Sequence, residues 1–241
     1  MADPGRSGHR LIDPLTQLPG AVPWATEITQ RMRRYAVLKL LGVTAFISVF
    51  FVGYLHLLRH PLYPVTVMPL TALDRLIPFQ PAALAAYVSL WLYIGIAPGL
   101  MLRLRELADY ALWISAMSLT GLACFYFWPT AVPPLALDMS GYVGFSVLQG
   151  IDAAGNACPS MHVAAAMFTA IWIEHLLRQA RVPPALRWAN GAWFVTIAWS
   201  TLAIKQHVAL DLLAGALLGA AFALPALHWR PAAGRRGAAP V

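Results

Sequence analysis

Read along its length, the chain alternates between long apolar runs and short polar connections. Six segments are apolar enough to be predicted as membrane-crossing helices: Ala36 to Leu58, Ala82 to Leu102, Ala108 to Trp128, Met161 to Leu177, Trp188 to Ile204 and Val208 to His228. The last three are short or carry a charge, so their ends are less sharply drawn. No fixed-period repeat is visible, and a single unit is the simplest organisation. The expected fold class is all-α, a polytopic six-helix transmembrane bundle over residues 36–228. Tails at 1–35 and 229–241 flank it.

The first 34 residues are polar, rich in Pro and Gly, and then dense in Arg. That stretch is too long for the n-region of a signal peptide, and the apolar run after it is too long for an h-region. An uncleaved first helix behind a cytoplasmic tail is expected. Arg31, Arg33 and Arg34 fit a short interfacial helix against anionic lipid.

Composition supports lipid as the main solvent. The 241 residues are 59% hydrophobic and 11% charged, with mean hydropathy +0.63. A soluble domain carries about a quarter of its residues charged. The net charge of +7 invites a nucleic-acid partner, but the basic residues sit at the ends of apolar segments and form no stripe. No nucleic-acid partner is therefore expected.

Those basic residues orient the chain instead. With the N-terminus inside, the inner side holds Arg6, Arg10, Arg31, Arg33, Arg34, Arg103, Arg105, Arg178, Arg181, Arg187, Arg230, Arg235 and Arg236. The outer side holds Arg59, Arg75 and Lys205, and Lys39 lies within the first span. This asymmetry predicts both termini in the cytoplasm. It also puts the connection from Pro129 to Ser160 and the tight one around Lys205 and His207 on the same, non-cytoplasmic face.

Those two connections carry the candidate chemistry. In Cys158-Pro159-Ser160-Met161-His162, Ser160 is a natural N-cap for the helix that follows. His162 then falls in the first helical turn, where unpaired N–H groups and the helix dipole favour an anion. An ordinary interfacial histidine in a capped helix fits the same pattern. Further on, His207 and Asp211 are four residues apart and share a face if the chain is helical there. The carboxylate would fix the imidazole tautomer and leave the other nitrogen basic. A purely structural His–Asp pair is the alternative.

Pro159-Ser160-x-His162, and Ser200 followed by His207-x-x-x-Asp211, resemble two signature motifs of the type-2 phosphatidic acid phosphatase superfamily. The nearest likeness is to the membrane branch that also contains inositol phosphorylceramide synthases. The motif similarity runs from about Pro129 to Gly219. The resemblance implies that His207 is the nucleophile, forming a phosphohistidine, and that Asp211 orients it. It implies that His162 protonates the leaving alcohol and then activates water or an acceptor hydroxyl. It also implies a lipid phosphate substrate and no cofactor.

The sequence departs from that pattern at its cations. The family's first motif, a Lys and then Arg-Pro, is replaced by Phe127-Trp128-Pro129-Thr130-Ala131-Val132-Pro133-Pro134. Thr201 stands where an Arg usually follows Ser. A buried phosphate needs compensation, so Lys205, Arg75 and the Ser160 hydroxyl are the candidate phosphate-binding groups, with the N–H groups of Met161 and His162 as further donors.

Other features are assigned blander roles. Asp74 to Pro81 is expected as an interfacial turn. Tyr87, Trp91, Tyr93, Trp113, Phe125, Tyr126, Phe127 and Trp128 divide between packing, interface belts and a lipid-tail groove. Glu174 and His175 fall near the cytoplasmic end of the fourth span, about 18 Å from His162 at helical rise, and are taken as a local polar end. Two His and one carboxylate are legitimate zinc ligands, but no Cys or further His supports them, and no metal is expected. Gly141, Gly144, Gly150 and Gly155 form no phosphate-binding fingerprint. Cys124 and Cys158 pair only if the fold brings them together.

The function expected is an integral cell-membrane phosphatase acting on lipid phosphate or diphosphate esters at the non-cytoplasmic face, with a bacterial inner membrane as its setting. The alternatives are a lipid phosphotransferase that passes the phospho group to an alcohol, and a non-catalytic lipid-binding protein.

Overall fold

The computed structural model describes residues 23–134 and 156–228. The tails at 1–22 and 229–241 and the segment 135–155, which holds the four scattered glycines, lie outside the described residues. The chain is mostly helical. A short helix α1 (Trp24–Arg33) leads into α2 (Ala36–Arg59). A small strand β1 (Thr66–Val67) and the one-turn helix α3 (Ala72–Leu76) follow. A 3-10 turn (Pro81–Ala83) then runs through α4 (Leu84–Val88) into α5 (Leu90–Gly99), ahead of α6 (Leu104–Phe127) and β2 (Thr130–Ala131). The chain ends in α7 (Met161–Gln179), α8 (Pro184–Ala203) and α9 (Ala209–His228).

Each expected apolar segment coincides with helix. The stretches Ala36–Arg59, Pro81–Gly99, Leu104–Phe127 and Ala209–His228 are long and apolar enough to cross a membrane. Helices α7 and α8 are as long but less apolar, because they carry His162, Glu174, His175, Arg178, Arg187 and Asn190. For α7 its position gives the reason. Val163, Phe168, Trp172 and Leu176 of α7 are completely buried among the other helices. A helix surrounded by protein does not need to be apolar all round.

Helix ends follow local chemistry. The Ser160 hydroxyl caps α7 by accepting the Val163 N–H at 3.3 Å. Helix α5 stops at Gly99, short of the expected Leu102, because two side chains take its last carbonyls. Lys39 donates to the Gly99 and Arg31 carbonyls, both at 2.7 Å, and Arg31 donates to the Leu100 carbonyl at 3.2 Å. The bond from Arg31 to Leu100 pins α1 against the end of α5, and Arg31 is also paired with Glu27 one turn back in α1. At that same end Glu174 pairs with Arg178 and Arg187, tying α7 to α8.

The closest helix contact in the bundle is α7 against α9. A Cβ at Gly215 would lie 2.3 Å from the Ser160 carbonyl oxygen, and one at Gly219 would lie 2.4 Å from that of Ala164. The two backbones touch because these positions have no side chain, a packing mode suited to membrane helices. Tyr93, Asn190 and the Ala170 carbonyl add a buried hydrogen-bonded link between α5, α8 and α7.

Gly215→Val should force α7 and α9 apart and destabilise the protein by about 2–3 kcal/mol. Gly42→Ala, where no heavy atom lies within 4 Å, should be neutral or slightly stabilising. Thermal unfolding of the purified protein in detergent distinguishes the two.

Candidate active site

The helix junctions at one end of the bundle converge. The Ser160 N–H donates to the Asp211 carbonyl at 3.0 Å, joining the two motif-bearing segments directly. The Gln80 N–H donates to the Ala203 carbonyl at 2.8 Å, and the Asp74 carboxylate accepts the Ala209 N–H at 2.7 Å. Strands β1 and β2 pair in parallel, with Thr130 also bridging to Asn156. The two motif-bearing segments therefore meet at one end of the bundle.

His207 and Asp211 meet by a different route from the expected continuous helix. Helix α8 ends at Ala203 in a left-handed turn: Lys205 has φ 62°, its N–H donates to the Leu202 carbonyl, and the Gln206 N–H donates to that of Thr201. This closes the α8 C-terminus in a Schellman arrangement with Lys where Gly is usual. His207 lies in the connection, just before α9. Asp211 is in the first turn of α9, fully buried, and one carboxylate oxygen accepts the Val208 N–H at 3.0 Å. Its other oxygen meets Nδ1 of His207 at 3.1 Å. The carboxylate thus caps the helix and holds the imidazole. That bond places the ring proton on Nδ1 and the lone pair on Nε2.

His162 is buried in the first turn of α7. Its ring stacks on Tyr87 of α4, with centroids 3.9 Å apart and planes 13° from parallel. Its Nε2 is buried with no hydrogen-bond partner among the described residues.

Both histidines line one cavity of about 190 Å³. Its walls come from Phe46, Phe50, Phe51 and Tyr54 of α2, from Tyr87, Trp91 and Ile94, and from Ile114 and Ser118 of α6. Apart from the histidines, Tyr54, Tyr87, Ser118 and Asn156 are its polar lining, and no Lys or Arg lines it among the described residues. Of the aromatics singled out in the sequence, Tyr87 and Trp91 reach it. Tyr93 and Phe125 are core, and Tyr126, Phe127 and Trp128 are exposed. The aromatics of α2 carry no signal in the sequence beyond apolarity.

The candidate phosphate-binding groups fall elsewhere. The Lys205 ammonium donates to the carbonyls of Asp74, at 2.8 Å, and Ile77. Arg75 is exposed on α3, and the Ser160 hydroxyl accepts the Val163 N–H in its cap, which uses a lone pair and leaves its O–H to donate. Ser200 and Thr201 donate back to carbonyls of their own helix. Cys124 and Cys158 are free thiols. Burial, then the nearby Asp211 carboxylate and Cys124, push the Cys158 thiol up to about 11, so at neutral pH it is protonated and unreactive.

Asp74 is a structural residue that the sequence marks only as part of a turn. Besides Ala209, it accepts the Thr71 hydroxyl and N–H at 2.7 Å in a capping box. Thr71-Ala72-Leu73-Asp74 matches the sequence form of that box.

A helical membrane-type bundle that brings a carboxylate-paired histidine and a second histidine to one cavity holds the kinds of group that acid–base and nucleophilic chemistry requires. The model for the PAP2 superfamily matches residues 114–235, about half of the chain. The chain belongs to that superfamily. No curated protein and no solved structure matches it.

Burial pushes the Asp74 carboxyl up, but the bonds from Thr71 and Ala209 and the nearby Lys205 ammonium outweigh this and hold it below the usual 3.8. Its folded value is depressed, so its contribution is fully present above the ordinary carboxylate value and is lost as pH falls through the lowered one. Asp74→Ala should lose about 1 kcal/mol at neutral pH. The gap to the unsubstituted protein should close on acidification, as read by denaturation midpoints across pH.

Proposed function

We propose that this protein is an integral membrane enzyme that releases phosphate from a lipid phosphate or diphosphate ester through a phosphohistidine at His207. Superfamily membership supports the reaction class, since PAP2 proteins are generally phosphatases or phosphotransferases. The observation that carries the reading is the shared cavity: His162 and His207 both line it, and aromatic and aliphatic side chains from α2, α4, α5, α6 and α7 form most of the rest. A phosphate at the histidines would leave its hydrocarbon chain among Phe46, Phe50 and Trp91.

In this reading Nε2 of His207 attacks phosphorus in line with the leaving oxygen. Asp211 stabilises the positive charge that grows on the ring. His162 gives a proton to the leaving alkoxide, its ring held in place by the stack on Tyr87. His162 then serves as the base for the second step. Six spans, cytoplasmic termini and a site at the outer face of the cell membrane complete the proposal, supported by the distribution of Lys and Arg.

A second reading has its own support. With no Lys or Arg on the cavity among the described residues and Lys205 held by carbonyl oxygens, a singly charged phosphodiester suits the site better than a doubly charged monoester. Transfer of a phospho-headgroup to an alcohol would then be the reaction.

Purified protein should release phosphate from a detergent-dispersed lipid phosphate without added magnesium. His207→Ala should abolish release, and Asp211→Asn should slow it by about 100-fold or more. Release that depends on a divalent metal, or that survives His207→Ala, contradicts the mechanism. A new phosphorylated alcohol with suppressed free phosphate selects the second reading.

A further inference from the structure

Two residues that line the cavity each carry a buried polar atom with no hydrogen-bond partner among the described residues: His162 at Nε2 and Asn156 at Oδ1. The first has a role in the proposed reaction. Asn156 has none so far, although it is 5% exposed and firmly held. Its backbone bridges to Thr130, and the neighbouring Ala157 N–H donates to the Thr130 carbonyl at 3.0 Å. Its Nδ2 donates to the Tyr54 carbonyl at 2.8 Å. Because a carbonyl can only accept, that bond fixes which way the amide lies, and the oxygen is left without a partner among the described residues.

A buried amide oxygen without a partner is costly, and native proteins leave few of them unmet. This oxygen is an acceptor, so it is a poor neighbour for ionised phosphate oxygens, which carry no proton to give. It calls for a donor. The reaction brings one in its second half, when a hydroxyl compound attacks the phosphohistidine.

We propose that Asn156 Oδ1 and His162 Nε2 form a two-acceptor seat for that nucleophile, and that the nucleophile is water. The assignment rests on the phosphohistidine reading above. Water has two O–H donors and meets both acceptors at once. A simple alcohol has one and leaves Asn156 unmet. The water oxygen forms a bond to phosphorus as the bond from phosphorus to His207 Nε2 breaks, and that electron pair returns to the imidazole. One water proton passes to His162 Nε2. The other stays on the transferred oxygen, held by Asn156, so the product leaves as hydrogen phosphate. Asn156 thereby acts in the second step and not in the first, which separates hydrolysis from transfer in a site that otherwise suits either.

The test follows the two steps separately in the full-length protein, using phosphatidic acid with radiolabelled phosphate and acid-labile labelled protein as the readout. Asn156→Ala should form the phosphoenzyme at nearly the unsubstituted rate and accumulate it, with decay slowed by about 10–100-fold. Normal formation in that variant also shows that its site is folded. Asn156→Asp keeps an acceptor oxygen and should recover much of the decay rate. With ethanol present, the label should leave the unsubstituted protein chiefly as inorganic phosphate. Decay at the unsubstituted rate in Asn156→Ala, equal loss of both steps, or release mainly as ethyl phosphate overturns the assignment alone. The absence of any phosphoenzyme in the unsubstituted protein overturns the phosphohistidine reading with it.

Discussion

Helix α9 lies so close to α7 that the carbonyl oxygens of Ser160 and Ala164 occupy the space where side chains at 215 and 219 would be. That approach sets the rest of the site. It brings the Asp211 carbonyl to the Ser160 N–H, so the start of one helix is hydrogen-bonded to the start of the other. Their first turns then carry His162 on one side and Asp211 on the other, with His207 just ahead of α9. In a membrane setting no large hydrophobic force distinguishes helix–helix from helix–lipid contact. Close backbone packing and polar links therefore decide the arrangement.

The loops at this end act as a brace. Asp74 takes the Ala209 N–H, and Lys205 takes the carbonyls of Asp74 and Ile77, so α3 clamps the turn that presents His207. The same bonds give Lys205 a structural position and remove it from the cavity. What remains on the cavity is a polar lining of two histidines, two tyrosines, an asparagine and a serine, among side chains that are otherwise apolar. Such a site favours a ligand with one small polar head and a long apolar body.

Much of this is legible in the residues. Apolar run lengths give the helices to within a few positions, and the Ser160 cap puts His162 in a first turn. The likeness of the paired motifs points to the superfamily to which the chain belongs. Other features depend on contacts far apart in sequence. Nothing local says that Lys39 and Arg31 end α5 by taking the Gly99 and Leu100 carbonyls. Nor does local pattern show that Lys205 adopts the left-handed turn that separates α8 from α9. The four-residue spacing of His207 and Asp211 points to the right pair for an incomplete reason: the carboxylate caps the helix that the histidine precedes. Gly215 and Gly219 stand at the spacing typical of close membrane-helix packing, but spacing does not name the partner helix. Tyr87 and Asn156 reach the cavity only through tertiary contacts.

The central claim is that His162 and His207 act on one phosphorus atom, with Nε2 of His207 making the bond. Vanadate adopts the five-coordinate geometry of phosphoryl transfer, so a structure of the protein determined with vanadate tests the claim directly. The account predicts vanadium bonded to Nε2 of His207, with Nε2 of His162 within hydrogen-bond distance of an apical oxygen. Vanadate bound away from His207, or held at His207 with His162 turned away and out of reach, would contradict it.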